Sequence, residues 1–379
     1  MDFSLTDEQK KYQKKAREFA YEELLPHYMK WDRNEEMPDY LMRKIADAGL
    51  MLTNIPREFG GAGTDRITNG LIVEELAKGD SVLSLLTFGT LVDLMLYTSR
   101  EMQDEWLPKL VSGEQTLGIA LTEPQSGSDA AHMETTAVRK GDIYETNGVK
   151  NCVSILNGKA WAFLASTNPE ARAKGISMFL LHRDTPGITI SEPIRDLGGR
   201  AIPRGIITCN DAQIPASHLM GEENMGFIYI MKTFDYNRAL IGLMCIGAAR
   251  QSLAETVEYV KKRKSFGRAI SMNQGVSFPL AEADTYLELA SNLCYKILWL
   301  KDNDLPIAKE SAMCKWWIPR ICVKILHECI LLHGHYGYSE QLPLEQRMRD
   351  IIGWETGDGS AQIQKMIITR ELIGREFVS

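Results

Sequence analysis

The hydrophobic period of this 379-residue chain changes twice, and that change constrains its fold more than any other feature. Residues 1–115 place apolar side chains at helical spacing, and residues 226–379 do so over longer stretches. Residues 116–225 instead carry short apolar runs bounded by glycine and proline, which is typical of strands. Helix and strand patterns that are segregated along a chain indicate an α+β protein. The sequence therefore predicts a helical domain, a central β domain and a second helical domain.

The N-terminal zone contains one clear helix start. Thr6 is followed three positions later by Gln9, the pattern of a capping box in which each side chain accepts from the other residue's backbone N–H. A charged amphipathic stretch then runs to about Tyr28. Further helices are predicted near residues 38–48, 66–78 and 82–97, the last of them apolar.

The two later zones differ in the length of their apolar runs. Short runs lie at residues 176–181, 187–191 and 206–209, with turn signals between them, and predict the strands of a small barrel or sandwich. Residues 241–263 and 274–300 are periodic over too many positions for strands, so they predict long helices.

Charge and cysteine content exclude several classes of protein. A formal net charge of -7 does not attract a nucleic acid, and the basic run at 261–264 is best explained as the solvated end of a helix. Seven cysteines without a C-x-x-C pair predict neither a disulfide framework nor a zinc site, which fits a reducing cytoplasm. The first residues carry no secretory pattern, residues 377–379 carry no targeting tripeptide, and no apolar run reaches the ~20 residues of a membrane span.

Two polar segments could carry chemistry, and each has a plain structural alternative. Residues 120–129 surround Gly127 with hydroxyls that could hold an anion or the polar edge of a ring, although most such runs are ordinary turns. Residues 259–267 end a helix in a cationic turn. Arg263 in that turn could pair with a diphosphate, or it could simply stabilise the helix end.

A third segment places a carboxylate in an unusual position. Asp358 lies between two glycines, with Ser360 two positions later and an amphipathic helix after it. Thr356, Asp358 or Ser360 could be the N-cap of that helix.

In this order and spacing, the segments resemble the acyl-CoA dehydrogenase family over essentially the whole chain. The matching motifs are Thr122-Glu123-Pro124 with Ser126-Gly127-Ser128-Asp129, Leu197-Gly198-Gly199-Arg200, Gly221-x-x-x-x-Gly226-Phe227, Asp235-Tyr236-Asn237-Arg238, Arg263-x-x-Phe266-Gly267 and Asp358-Gly359-Ser360-Ala361-Gln362-Ile363-Gln364. The last motif is similar to the family's Glu-Gly-Thr-x-x-Ile-Gln. The resemblance implies an N-terminal helical domain at 1–115, a small β-barrel domain at 116–225 and a C-terminal four-helix bundle at 226–379.

The resemblance also implies a cofactor, its ligands and an assembly. Members of the family bind FAD non-covalently between the β and C-terminal domains, usually form homotetramers and pass electrons to an electron-transferring flavoprotein. The residues that match cofactor contacts are Leu121, Thr122, Gly127, Ser128, Ser154, Arg263, Phe266, Gln274, Ser360 and Gln362. The residues that match the substrate side are Ser128, Asp235 and Arg238. No metal is implied, because His333 and His335 lack a third ligand at suitable spacing.

The implied reaction needs a carboxylate base beside a flavin. The carboxylate removes the proton next to the thioester carbonyl, and the flavin accepts a hydride from the following carbon. Asp358 aligns with the base of the family, which is usually glutamate. Aspartate is one methylene shorter, and a misplacement of about 1 Å can cost ~10²-fold in rate. We therefore expect substrate shape or a shifted backbone to offset the shortening.

A second carboxylate bears on the acyl group. Asp93 lies in an apolar segment that lines the acyl pocket in the family, and a buried unpaired carboxylate is costly. Either Asp93 pairs with a cation or it takes part in the chemistry. Dehydrogenases of cyclohexane- and cyclohexene-carboxyl thioesters resemble the chain in such aspartates. This resemblance predicts an alicyclic substrate, with Asp358 as the base and Asp93 as a second base or a ring-positioning group.

Three alternatives stay open at this point. The substrate could be a short or branched aliphatic acyl-CoA. Nitroalkane oxidases share the fold and use an aspartate base without needing a CoA groove. A catalytically silent DNA-binding branch also exists, but the net charge of -7 and the lack of an extended basic domain argue against it.

The chain departs from the family at three positions near the implied cofactor. Cys152 stands where an aromatic residue usually covers the flavin. Leu331 and His335 replace the usual glutamine and second glycine of a loop that contacts the cofactor. A side chain at His335 would crowd a close backbone approach. We expect FAD to bind, in a cradle that differs in detail.

Overall fold

The computed structural model describes residues 4–377, so the leader and targeting predictions partly concern residues outside it, at 1–3 and 378–379. The N-terminal domain begins with the predicted capping box, which is confirmed: Gln9 N donates to Thr6 Oγ1 at 3.2 Å, and Thr6 N donates to Gln9 Oε1 at 3.0 Å. Its α-helices are α1 Asp7–Phe19, α2 Tyr28–Asn34, α3 Tyr40–Asp47, α4 Arg66–Gly79, α5 Thr90–Met95 and α6 Arg100–Val111.

The apolar helix predicted at 82–97 is wrong, because the segment is broken into two short pieces. A 3-10 helix spans Leu83–Thr87, and α5 starts afresh after Gly89. Two buried asparagines satisfy the backbone at the break: Asn69 accepts from Gly89 N at 3.1 Å, and Asn54 donates to Gly89 O at 3.0 Å. These partners come from elsewhere in the chain, so the local pattern does not reveal them.

The central domain is a seven-stranded sheet, which confirms the predicted middle β domain. Its strands are β1 Leu117–Ala120, β2 Thr136–Lys140, β3 Ile143–Ser154, β4 Ala160–Ser166, β5 Ile176–His182, β6 Ile188–Ile190 and β7 Arg204–Pro215. The strand order is β1-β4-β2-β3-β7-β6, with β5 also paired to β4. A register shift between Lys150 and Val153 interrupts the β3–β7 ladder, and Cys152 at that irregularity has a φ of 54°.

The C-terminal domain is built on long helices, as predicted. Its elements are α7 Gly226–Lys262, β8 Lys264–Ser265, β9 Arg268–Ala269, α8 Gln274–Asp302, α9 Ala308–His333, α10 His335–Tyr338, α11 Leu344–Ile352 and α12 Ala361–Ile373. Helix α7 packs on α8 and α9, and also on α4 of the first domain. A Cβ at Gly247 would come within 2.4 Å of Glu74 O, so glycine is required where α7 crosses α4.

All three domains meet at one buried acidic group, the junction cluster of Tyr28, Asp32, Asp80, Gly199, Arg349 and Asp350. The Asp350 carboxylate accepts from Tyr28 Oη of the first domain and from Gly199 N of the second, the latter at 2.7 Å. Arg349 donates to Asp32 Oδ2 at 2.8 Å. Burial raises the pKa of Asp350 to about 6 and that of Asp80 to about 8.

The predicted boundaries at 115/116 and 225/226 fall between elements, after α6 and just before α7. Among the residues that the structure describes, no helix is both long and apolar enough to cross a membrane.

Candidate active site

The candidate base lies in a tight turn between two helices. Asp358 follows the 3-10 turn Gly353–Glu355 and precedes α12, and its carboxylate is partly buried. Its φ is 54° and that of Gly359 is 99°, so both residues are in the left-handed region. Aspartate tolerates that region better than most residues with a side chain. The backbone therefore turns tightly at positions 358 and 359.

A chain of two hydrogen bonds reaches Asp358 from the N-terminal domain. Asn237 on α7 donates from Nδ2 to Asp358 Oδ2, and it accepts at Oδ1 from the Thr90 hydroxyl at 3.0 Å. Asn237 and Thr90 are both buried. In the described part of the chain the other carboxylate oxygen, Oδ1, accepts no hydrogen bond. One oxygen of Asp358 is thus held while the other stays available to receive a proton.

Three charged side chains surround this carboxylate. Arg238 is buried, donates from Nη1 to Asp235 Oδ1 at 2.5 Å and approaches Asp358 O with its Nε at 3.4 Å. Lys315 on α9 is also buried and donates to Trp354 O at 2.5 Å and Gly359 O at 3.3 Å, which fixes the turn. Burial raises the pKa of Asp358, while the Asn237 hydrogen bond and the charges of Lys315 and Arg238 oppose that rise.

The structure therefore brings together three of the residues selected from sequence, Asp358, Asp235 and Arg238. It adds Asn237, Thr90 and Lys315, which the sequence analysis did not single out. Asn237 lies inside the Asp235–Arg238 motif, so its place one position before Arg238 was an available signal. Thr90 and Lys315 are remote in sequence, and no local pattern links them to Asp358. A partly buried carboxylate with a raised pKa, one free oxygen and fixed neighbours is suited to general base catalysis.

A buried ion pair fixes the candidate cofactor loop, residues 121–129. Lys150 is 0% exposed and donates to Glu123 Oε1 at 2.7 Å and to Leu121 O at 3.1 Å. Glu123 also accepts from the backbone N–H groups of Glu134 and Thr135. Burial raises the pKa of Glu123, but the Lys150 charge and these hydrogen bonds outweigh it, so the pKa lies below its usual value. The loop is therefore rigid at Glu123, with Thr122 partly exposed.

The exposed part of this loop and three further predicted residues complete that side of the candidate site. Gly127 and Ser128 are exposed at the tip, and Ser154 is partly buried at the end of β3. Ser360 occupies the N-cap position of α12, but its side chain makes no capping hydrogen bond. Gln362, in the first turn of α12, is exposed. The capping alternative thus accounts for the position of Ser360, although its hydroxyl does not cap the helix.

The second group of predicted cofactor residues lies at the other end of α7. Arg263, Phe266 and Gln274 are all exposed around the short β8–β9 hairpin, and the Phe266 ring is 100% exposed. At 1.5 Å per residue, Arg263 is roughly 37 Å along the helix from Arg238. The structure does not bring this group together with Asp358 within one chain.

Asp93, the other predicted catalytic residue, is paired. Arg66 donates to Asp93 Oδ1 at 3.1 Å, and Lys301 Nζ lies 3.7 Å from Oδ2. The Asp93 side chain is 11% exposed. Of the two alternatives for this carboxylate, the pairing with a cation is the one observed, and its catalytic role remains a prediction.

The departures from the family pattern are on the surface. Cys152, Leu331 and His335 are all exposed. His333 instead is buried, lies 2.9 Å through Nδ1 from Cys329 O and stacks on Tyr259, so its role is structural. Within residues 4–377 no group of three or more potential ligands could hold a metal ion.

The side chains present fit FAD. An exposed aromatic ring beside an arginine suits an adenosine diphosphate, and a loop that is anchored at Glu123 and carries the hydroxyls of Thr122 and Ser128 suits the polar edge of an isoalloxazine. Arg263, Phe266 and Gln274 would hold the first part, and Thr122, Ser128 and Ser154 the second.

Comparison with known proteins gives the same result for all three domains. Models of the N-terminal, middle and C-terminal domains of acyl-CoA dehydrogenases match residues 6–114, 118–212 and 224–373. A probable acyl-CoA dehydrogenase of Bacillus subtilis is 33% identical over 98% of this chain and 100% of its own. The mitochondrial short-chain specific acyl-CoA dehydrogenase of Rattus norvegicus is 32% identical over 94% of this chain and 88% of its own.

A solved structure agrees at the level of the fold. The butyryl-CoA dehydrogenase of Megasphaera elsdenii superimposes with a TM-score of 0.95 at 29% identity, covering 98% of this chain and 100% of that one. Fold and candidate site thus define a flavin-dependent oxidoreductase. The chain belongs to the acyl-CoA dehydrogenase family, and accordingly it uses FAD and acts on the CH–CH group of acyl-CoA thioesters.

Proposed function

We propose that Asp358 is the base of this dehydrogenase and removes the proton on the α-carbon of the acyl group. The observation that carries the proposal is the Asp358 carboxylate itself: one oxygen is bonded to Asn237, and the other accepts no hydrogen bond from residues 4–377. Its raised pKa makes it a stronger base than an exposed aspartate. Bound FAD supplies the acceptor for the hydride that leaves the β-carbon.

The neighbouring residues support the same role. Asp235 neutralises Arg238, so the arginine orients the turn through Asp358 O without forming an ion pair that would quench the base. Lys315 holds the carbonyls on both sides of Asp358, at Trp354 and Gly359. The proton passes from the α-carbon to the free carboxylate oxygen, and the product is an α,β-unsaturated thioester.

The proposed substrate is a short acyl-CoA. Relatives of this length include a short-chain specific enzyme and a butyryl-CoA dehydrogenase, and each matches the chain almost end to end. The alicyclic substrate stays a second prediction. It is favoured by the short Asp358 base but loses one support, because Asp93 is bonded to Arg66 and close to Lys301.

The test is anaerobic bleaching of the FAD-loaded protein by defined compounds. Butyryl-CoA, isobutyryl-CoA, cyclohexanecarboxyl-CoA, cyclohex-1-enecarboxyl-CoA and nitroethane would each be mixed with the protein in a stopped-flow instrument. We expect butyryl-CoA to give the fastest bleaching and nitroethane none. Faster bleaching by a cyclic thioester would establish the alicyclic prediction in its place, and bleaching by nitroethane alone would refute the whole proposal.

We also propose an electron-transferring flavoprotein as the acceptor, a cytoplasmic location and a homotetrameric assembly. The assembly is supported by large apolar side chains that are exposed around α8, namely Phe266, Phe278, Leu289 and Trp299. Such side chains are commonly covered in oligomers. Light scattering on the FAD-loaded protein would test this, and a monomeric mass at micromolar concentration would contradict it.

A further inference from the structure

We propose that Asn237 is a positioning residue that aims the Asp358 carboxylate and sets its basicity, with Thr90 fixing the orientation of the Asn237 amide. The inference rests on the proposed function, because it assigns roles around the same base. It concerns the amide that contacts Asp358 and not the charges around it. Both residues come from elements that pack across the domain boundary, α5 and α7.

The orientation of the amide follows from its two partners. A primary amide has a donor end and an acceptor end, and only the donor end stabilises an ionised carboxylate. The Thr90 hydroxyl donates to Asn237 Oδ1 at 3.0 Å, which directs Nδ2 towards Asp358 Oδ2. Because Asn237 and Thr90 are both buried, water does not compete readily for either hydrogen bond. The pair therefore presents a fixed donor to one carboxylate oxygen.

The Asn237 donor offsets the loss of positioning that a short aspartate base would otherwise suffer. Asp358 has a left-handed backbone conformation at a φ of 54°, in a turn flanked by Gly357 and Gly359. Few side-chain contacts restrain a carboxylate in such a turn, and Asn237 supplies the side-chain hydrogen bond that does. When Oδ2 is held, rotation of the carboxylate is restricted and Oδ1 keeps one direction. A base that is restrained in this way loses less rate from misplacement.

The charged groups around Asp358 make the effect of the amide separable. Lys315 faces the carboxylate from α9, Arg238 with its partner Asp235 from α7, and Arg204 from β7. All of these charges remain when the neutral Asn237 is replaced. Loss of the amide donor removes a hydrogen bond that only the ionised carboxylate receives fully. The pKa of Asp358 must then rise. The acidic limb of the pH profile of α-proton removal must therefore move to higher pH.

The experiment follows the base without requiring turnover at the flavin. Phenylacetyl-CoA has an α-proton but no hydrogen on its β-carbon, so deprotonation exchanges that proton for deuterium without dehydrogenation. Exchange in D2O would be followed by NMR between pH 5 and 9 on FAD-loaded protein. The variants are Asn237→Leu, Thr90→Val and the conservative Thr90→Ser. The matched control is Thr256→Val, which deletes a buried hydroxyl bonded to Ser252 O on the same helix, remote from Asp358.

We expect Asn237→Leu to move the acidic limb up by about one to two pH units and to slow maximal exchange ~10-fold or more. Thr90→Val should move the limb in the same direction by less than one unit, and Thr90→Ser should restore it. Thr256→Val should leave the limb in place. The Thr90 pair provides the test if Asn237→Leu does not fold.

Two results would overturn the inference. If the limb of Asn237→Leu coincides with that of the wild type, or if Thr256→Val shifts the limb as much, the amide has only a structural role. Bleaching by butyryl-CoA separates the two proposals. If the flavin of the wild type is not bleached by butyryl-CoA and the wild type does not exchange the α-proton of phenylacetyl-CoA, the proposed function is refuted together with this inference. If the wild type does both, the variants decide the inference.

Discussion

Two aspartates lie on either side of the turn Gly353–Glu355, Asp350 buried and Asp358 partly buried, and their surroundings are opposite. Asp350 has donors on both oxygens, from Gly199 N and Tyr28 Oη, and each donor belongs to a different domain. Among the residues that the structure describes, Asp358 has one side-chain donor, Asn237, and its second oxygen accepts no hydrogen bond. Burial raises the pKa of both carboxylates. A raised pKa therefore does not distinguish a structural acid from a base; the number of bonded oxygens does.

The comparison predicts opposite responses to the same amide substitution, and the largest effect is at Asp358. Asn at this position keeps the shape but cannot accept a proton, so bleaching by butyryl-CoA should slow ~10³-fold. The free energy of unfolding should not fall, since a carboxylate with a raised pKa is not stabilising in its ionised form. Stopped-flow bleaching and urea unfolding of Asp358→Asn would measure both. A bleaching rate within tenfold of wild type would remove Asp358 as the base.

At Asp350 the effect should appear in stability instead. Asp350→Ala leaves the Tyr28 hydroxyl and Gly199 N–H without an acceptor, which should lower the free energy of unfolding by about 3 kcal/mol. Asp350→Asn keeps an acceptor and should cost less than ~1 kcal/mol. Bleaching by butyryl-CoA should be nearly unchanged in Asp350→Asn. Equal losses of stability in the two variants would show that the carboxylate charge, and not its acceptor role, matters.

The same junction predicts a dependence of stability on pH. The pKa of Asp80 is about 8 in the fold, against 3.8 for an ordinary aspartate. Between these values the folded chain binds a proton at Asp80 that the unfolded chain does not, so stability from this group falls as pH rises. The slope is about 1.4 kcal/mol per pH unit for one proton. The free energy of unfolding would be measured with urea at several pH values between 6.5 and 8. It should fall less steeply with pH for Asp80→Asn than for the wild type, and equal dependence on pH in the two proteins would refute the prediction.

The smallest effect is expected at Asp93. Its ion pair with Arg66 is partly exposed, and such pairs contribute ~0.2–1 kcal/mol. Asp93→Asn should therefore change bleaching by butyryl-CoA less than ~5-fold. Bleaching of Asp93→Asn by cyclohex-1-enecarboxyl-CoA tests whether Asp93 has a catalytic role. A selective ~10²-fold loss with the cyclic thioester would mark Asp93 as a second base.

The sequence predicts an element correctly where the local pattern of apolar and capping residues determines it. The prediction fails where the element depends on hydrogen-bond partners that are distant in the sequence. The Thr6 capping box and the helix starting at Gln274 depend on neighbouring residues, and both are confirmed. The break at Gly89 depends on Asn54 and Asn69, so a continuous helix was expected there. Helix α7 starts at Gly226, well before the predicted position 241. Its first turns are mostly apolar, but the polar residues Asn237 and Arg238, which are buried at the candidate site, interrupt the apolar pattern before position 241.

The candidate site divides in the same way. Asp358, Asp235 and Arg238 belong to motifs and are found by resemblance. Lys315 lies in the continuous helix α9, and the pattern of that helix gives no reason to place the Lys315 ammonium beside the turn that bears Asp358. Thr90 is brought to Asn237 only by the packing of α5 on α7.

The convergence of three domains on Asp350 has a consequence for the newly synthesised polypeptide. Helix α11, which carries Asp350, leads directly into the turn that bears Asp358. A nascent polypeptide whose β domain has not yet docked lacks the Gly199 contact and has nothing to anchor that helix on one side. Docking of the β domain therefore completes the support of the segment that leads to Asp358.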